Sequence, residues 1–133
     1  MTVSSSTTTS SRLIAVLSWL PRVALALVFA GAGFSKIAGD PAMVTLFADI
    51  GAGQGLRYVV GALELAGAIG VLVPRLCGLA AAGLALLMIG ATIVNVAVLG
   101  VSPVFTLFLF ALAAATVWLR RHRLHPFRAR RQR

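Results

Sequence analysis

Long apolar stretches alternate along the chain with short polar breaks, and their spacing predicts four membrane-spanning helices over about 21–37, 56–73, 76–99 and 104–119. Each is close to the roughly 20 residues needed to cross a hydrocarbon core about 30 Å thick. The first apolar region runs from Leu13 to Ile37 and is interrupted by Pro21 and Arg22. Proline suits the first turn of a helix, so this span is expected to open near Pro21, with Arg22 at the membrane interface. Only Pro74 and Arg75 separate the second and third spans, and Gly100 to Pro103 separate the third and fourth. Such short connections force antiparallel neighbours, so the expected fold is all-α: an integral membrane, up-and-down four-helix bundle.

The linker between the first two spans carries a pattern of its own. Asp40 is placed as an N-cap and Pro41 as the first helical residue, followed by Met43, Leu46, Phe47 and Ile50 at i, i+3, i+4 and i+7, and Gly51 ends the run. A short amphipathic helix is expected in this first outer loop, on the outer surface or folded over the bundle mouth, with Thr45 and Asp49 toward water; an ordinary loop is the simpler reading. The Ser/Thr-rich segment 1–12 has no apolar periodicity, and Met1 to Ser11 are expected to be disordered. Ala30-Gly31-Ala32 has the A-x-A form of a signal-peptidase site, but Pro21 and Arg22 break the preceding apolar run, so the first helix is expected to be retained.

Composition agrees with the bilayer assignment: 133 residues, 59% of them hydrophobic and 11% charged, with a mean hydropathy of +0.98. The net charge of +9 does not redirect this reading toward nucleic acid, because the basic residues are concentrated rather than spread over a face. Arg120, Arg121, Arg123, Arg128, Arg130, Arg131 and Arg133 form a tail over 120–133 that directly follows an apolar run, the arrangement of a cytoplasmic anchor for anionic lipid. With both termini inside, Arg12, Arg22, Arg75 and the tail are cytoplasmic, while Lys36 and Arg57 are external. A multi-pass protein of the plasma membrane is the implied location. Trp19, Tyr58 and Trp118 lie near span ends and read as interface anchors. The single cysteine, Cys77, excludes an internal disulfide.

Few side chains in the spans are expensive to bury, and Glu64 is the costliest, since a charge at mid-membrane costs at least about 2.5 kcal/mol. Arg57, Gly61, Glu64 and Ala68 share one helical face, with Gly61 leaving neighbours room to approach the carboxylate. Lys36 ends the first span toward the same outer side, where it either snorkels to the interface or pairs with Glu64. Asn95 and Thr92 on the third span and Thr106 on the fourth complete a polar group in the outer half of the bundle, with Arg57, Asn95 and Thr92 expected at its edge. Glu64 is either a functional carboxylate or half of a structural ion pair. No nucleophile with its base, phosphate loop or metal-ligand spacing is visible, and His122 and His125 fall in the basic tail.

The run Arg22-Val23-Ala24 through Ala32-Gly33-Phe34-Ser35-Lys36-Ile37, then Gly61-Ala62-Leu63-Glu64-Leu65-Ala66-Gly67, then Val73-Pro74-Arg75, resembles the DoxX-like membrane proteins. In their pattern an Arg opens the first helix, A-G-x-x-K ends it, and G-x-x-E-L-x-G occupies the second. The match runs roughly from Pro21 to Arg120 and assigns the family's polar positions to Arg22, Lys36 and Glu64. The resemblance implies a four-helix membrane fold and association with respiratory or redox membrane complexes. Asn95 stands where members often have a histidine, which weakens a proton-transfer or ligand role there.

The leading expectation is an accessory or scaffold subunit of a quinone-linked membrane redox system, or a binder of a lipophilic molecule, not catalytic on its own and with no cofactor ligands of its own. Membrane oxidoreductase subunits are then the implied partners, and no nucleic acid is expected. The alternatives are a small proton-coupled exporter using Glu64 and a purely structural membrane protein.

The basic-residue bias predicts sidedness directly. With single cysteines at Thr45 and in the tail, in a Cys77→Ser background, an impermeant thiol reagent added to intact cells should label only the former. Tail labelling would reverse the orientation.

Overall fold

In the computed structural model, which describes residues 6–124, five helices follow one another: α1 (Ser6–Ala38), α2 (Pro41–Asp49), α3 (Gly53–Leu72), α4 (Cys77–Ala97) and α5 (Val104–Leu124). Ala15–Ala38, Gly53–Leu72 and Cys77–Ala97 are long and apolar enough to cross a membrane, and Val104–Leu119 is a shorter apolar helix. The chain is a multi-pass membrane protein in which α1 packs against α3, α3 against α4 and α4 against α5, while α5 returns to touch α1. Of the basic tail, only the part within the last turns of α5 is described; Arg128, Arg130, Arg131 and Arg133 lie outside the described residues.

Two expectations for the N-terminal region are corrected. The Ser/Thr segment is helical from Ser6 onward, and α1 runs through Pro21 instead of opening there. Serine and threonine are only moderately poor helix formers, and extending an existing helix avoids the cost of nucleation. An internal proline removes one hydrogen bond and displaces the carbonyl four residues earlier. Apolar runs lie on both sides of the Pro21-Arg22 pair, however, and in lipid a helix is the backbone state that satisfies its own polar groups.

Each long helix buries a narrow stripe at alternating three- and four-residue spacing. The stripe of α3 is Arg57, Gly61, Glu64, Ala68 and Val71, and that of α4 is Cys77, Ala81, Leu84 and Met88. Leu25 and Phe29 from α1 and Leu109 and Ala113 from α5 complete the interior. Large side chains such as Leu27, Phe34, Leu79, Leu86 and Phe108 point outward. Many small residues inside and many large apolar ones outside is the distribution expected when lipid, not water, surrounds the bundle and helices gain by approaching closely.

Glycines set that approach. A Cβ on Gly33 would lie 2.7 Å from the Gly61 carbonyl oxygen, and one on Gly61 would lie 3.0 Å from that of Gly33. The backbones of α1 and α3 therefore touch at a reciprocal glycine contact. On the next seam, a Cβ on Gly67 would meet the Leu84 side chain at 2.5 Å, and one on Gly70 would meet Ala80 Cβ at 2.8 Å.

The end of α1 is shaped by Gly39, whose φ of 78° places it in the left-handed region. The amide of Asp40 then donates to Ser35 O at 3.0 Å, closing the helix in the geometry of a glycine C-terminal motif. Asp40 at once caps α2, its carboxylate accepting from Ala42 N at 2.9 Å, with Pro41 in the first turn. The helix foreseen between the first two spans is thus present, and it folds over the bundle mouth: Phe47 is buried while Thr45 and Asp49 are exposed. The loop after α4 reaches the same end, with Leu99 and Val101 beside Pro41 and Leu46 of α2.

The reciprocal glycine contact predicts opposite outcomes for two neighbouring glycines. Gly33→Ala should cost about 1–3 kcal/mol through overpacking against a carbonyl that cannot move aside. At Gly31 a Cβ would meet nothing within 4 Å, so Gly31→Ala should be neutral or stabilising by up to about 1 kcal/mol. Thermal unfolding of the purified variants in detergent measures both.

Candidate functional site

Lys36 and Glu64 each stand three residues beyond a glycine of the reciprocal contact, Gly33 on α1 and Gly61 on α3. Close backbones bring the two side chains together across the seam. Lys36 Nζ lies 2.8 Å from Glu64 Oε2 and donates a hydrogen bond to Oε1 at 3.1 Å. The Lys36 side chain is 13% exposed and that of Glu64 4%. Lys36 therefore turns inward instead of snorkelling. Oε2 is the nearer oxygen and is buried, and no hydrogen bond from any other group reaches it. It feels the charge of Lys36 but retains unused capacity as an acceptor.

Arg57, placed by sequence at the edge of this group, is buried but does not reach Glu64. Its Nη1 donates to the carbonyl of Lys36, a group left without a helical partner in the last turn of α1. Its Nε donates to Gln54 Oε1 at 2.7 Å, and its guanidinium lies over the Tyr58 ring, 4.3 Å from the centroid. Gln54 in turn donates from Nε2 to Val44 O of α2 at 3.0 Å. A continuous hydrogen-bonded chain thus ties α2 to α3 and to the end of α1 that carries Lys36. Gln54 was not singled out from sequence; flanked by Gly53 and Gly55, it reads as a loop residue, and its one signal is a polar amide at the mouth of an apolar span.

Thr92 and Thr106 meet between α4 and α5, with their hydroxyl oxygens 2.9 Å apart. Thr92 Oγ1 also lies 2.7 Å from Met88 O, and Thr106 Oγ1 lies 2.9 Å from Pro103 O. Two hydroxyl protons serve these three contacts, a hydrogen-bonded seam of the kind that joins helices in lipid. Arg22 belongs elsewhere: its guanidinium sits over Trp19 at 5.5 Å, and it is about 21 Å along α1 from Lys36 at 1.5 Å per residue. Trp19, Tyr58 and Trp118 are all exposed on the outside of the bundle.

Beneath α2 the bundle forms a partly open cavity of about 500 Å³. Its roof is Met43, Leu46, Phe47 and Ile50 of α2. Phe29, Val60, Met88 and Leu109 contribute apolar walls, and Lys36, Glu64, Asn95 and Thr106 are the polar lining. Asn95 is half-buried, and among the described residues its side-chain amide makes no hydrogen bond. Of the six polar residues grouped from sequence, Lys36, Glu64, Asn95 and Thr106 line one space; Thr92 lies behind Thr106, and Arg57 holds the rim. A partly enclosed apolar chamber with a few polar groups is the usual form of a small-molecule site, and this volume is in the middle of the customary range. Among the described residues, no three His, Cys, Asp or Glu side chains come together as a metal site.

The ion pair predicts a non-additive mutant cycle. Glu64→Gln or Lys36→Met alone leaves one buried charge uncompensated and should cost about 3 kcal/mol or more, whereas the double variant should cost clearly less than the sum. Thermal midpoints in detergent for the three variants give the coupling, and strict additivity would remove the pairing.

A family model described as the DoxX-like family matches residues 20–118. No curated protein and no solved structure matches the chain.

Proposed function

Because the chain belongs to the DoxX-like family, we propose on that premise that it is an accessory subunit of a membrane redox system that holds a lipophilic molecule in the outer half of its bundle, without catalysing alone. The observation that carries this reading is the chamber beneath α2, apolar over most of its wall and ended by the Lys36–Glu64 pair. A packing defect in a bundle would have no reason to collect a buried ion pair and an unpartnered amide. The chemistry of the lining fits the head of a quinone: Lys36 would donate to an oxygen of the head, and the apolar walls would take the ring and the start of its tail. When bound, such a molecule would carry electrons between partner proteins, while this chain binds it, orients it and keeps water from it. The α2 roof, tied down through Val44, Gln54 and Arg57, supports that last role.

The placement of basic residues supports an orientation in the plasma membrane with both termini cytoplasmic and the arginine tail against anionic lipid. The chamber then opens toward the outer leaflet, and membrane oxidoreductase subunits would meet the protein within the bilayer.

Filling the chamber tests the proposal. Ala91 lines it from α4, and Ala91→Phe should occupy the space a ligand needs. In nanodiscs the wild-type protein should bind a short-tailed quinone saturably, and Ala91→Phe should weaken that binding by about tenfold or more while remaining folded. Membranes lacking the chain should regain quinone-linked oxidation with the wild type and not with Ala91→Phe. Equal binding by the two proteins would make the chamber a packing void.

A further inference from the structure

We propose that the chamber selects lipophilic molecules whose head is a neutral hydroxyl, an alcohol or phenol, over those ending in a carbonyl, an ether or a charged group. The inference rests on the reading of the chamber as a lipophile site and goes beyond it by naming the chemistry of the head.

Two unequal demands lie side by side at the polar end. Glu64 Oε2 is a buried acceptor that has the Lys36 ammonium 2.8 Å away and no hydrogen bond from any other group, which leaves lone-pair capacity unused. Lys36 Nζ has three N–H groups and directs one at the Glu64 carboxylate, 3.1 Å from Oε1 and 2.8 Å from Oε2, with Ala32 O at a long 3.4 Å. Donor capacity therefore remains on the lysine beside acceptor capacity on the carboxylate, and both residues line the chamber. One hydroxyl answers both, because its O–H donates to Oε2 while its lone pairs accept from Nζ.

The competing heads each fail one half of this test. A ketone or quinone carbonyl, or an ether oxygen, accepts from Lys36 but leaves Oε2 as it was. A carboxylate sets a negative charge against Glu64, and an ammonium sets a positive one against Lys36. The ion pair is already internally neutral, so a charged head would also enter an apolar space without a counter-charge. The Asn95 amide, unengaged on α4, offers a further donor and acceptor from another wall and suits a second hydroxyl on the same ligand.

The experiment is a matched series on the wild-type protein in nanodiscs: a medium-chain alkanol, its methyl ether and the carboxylate of equal chain length, with a short-tailed hydroquinone and its quinone as a second pair. Isothermal titration against nanodiscs carrying Ala91→Phe removes partition into lipid. The alkanol should bind about ten- to a hundredfold more tightly than the ether or the carboxylate, as a hydrogen bond to a buried charged acceptor implies, and the hydroquinone should bind more tightly than the quinone. Equal affinities for alkanol and ether would overturn the hydroxyl preference while leaving the lipophile site standing. Tightest binding by the carboxylate would show an anion site governed by Lys36 alone, again overturning the inference. No saturable difference from Ala91→Phe for any probe would sink both the preference and the lipophile site on which it rests.

Discussion

An ionised carboxylate buried in an apolar helix must find a cation before the bundle can close, and Glu64 meets this constraint with a lysine from another helix. The requirement reaches far into the structure. Because Lys36 and Glu64 belong to α1 and α3, these helices must be neighbours, in the one axial register that brings the two charges to the same level. The glycine contact sets that register: Gly33 and Gly61 interlock at equal offsets from the two charged residues, so backbone packing and charge pairing specify the same alignment. A buried ion pair is weak as a source of net stability, yet it penalises wrong alignments heavily. In a bundle whose other seams consist largely of small apolar residues, that specificity is its principal contribution.

The same arrangement accounts for the chamber. Helices approach most closely where glycines face a neighbour, at Gly33 and Gly61 and again where Gly67 meets Leu84. Toward the α2 end, the paired charges and the Thr92–Thr106 contact replace that close packing. The space left between the helices is roofed by α2, whose position depends on Asp40 capping it immediately after α1 ends and on Gln54 reaching Val44 O. Arg57 completes the rim by supplying the donor that the terminal carbonyl of Lys36 lacks. Site and fold are thus continuous: the residues that fix the helix register also furnish the polar end of the chamber.

What the sequence makes legible follows from how local each signal is. The spans, the face shared by Arg57, Gly61, Glu64 and Ala68, and the Asp40-Pro41 start of α2 are set by periodicity and by single-residue capping chemistry, and all are present in the structure. The start of α1 was less legible, because proline is compatible with both a first turn and, in lipid, an interior position. The direction of Lys36 was undecidable from one helix, since a four-carbon stem reaches either the interface or a neighbour. The contacts of Arg57 with Lys36 O and of Gln54 with Val44 O escape prediction for a different reason: main-chain carbonyls are carried by every residue and marked by no side-chain pattern. Likewise Gly31 and Gly33 look alike in sequence and differ only in what faces them.

The central claim is that the attraction between these two side chains, not the presence of a particular residue at either position, aligns α1 with α3. Reversing the pair tests it most directly. The single variants Lys36→Glu and Glu64→Lys each place like charges together in the interior, whereas the combined reversal restores an opposite pair with the same summed side-chain length. Measured as thermal midpoints in nanodiscs, the account predicts severe loss in each single variant and recovery of most of that loss in the double variant. A double variant as damaged as the sum of the two single ones would contradict it.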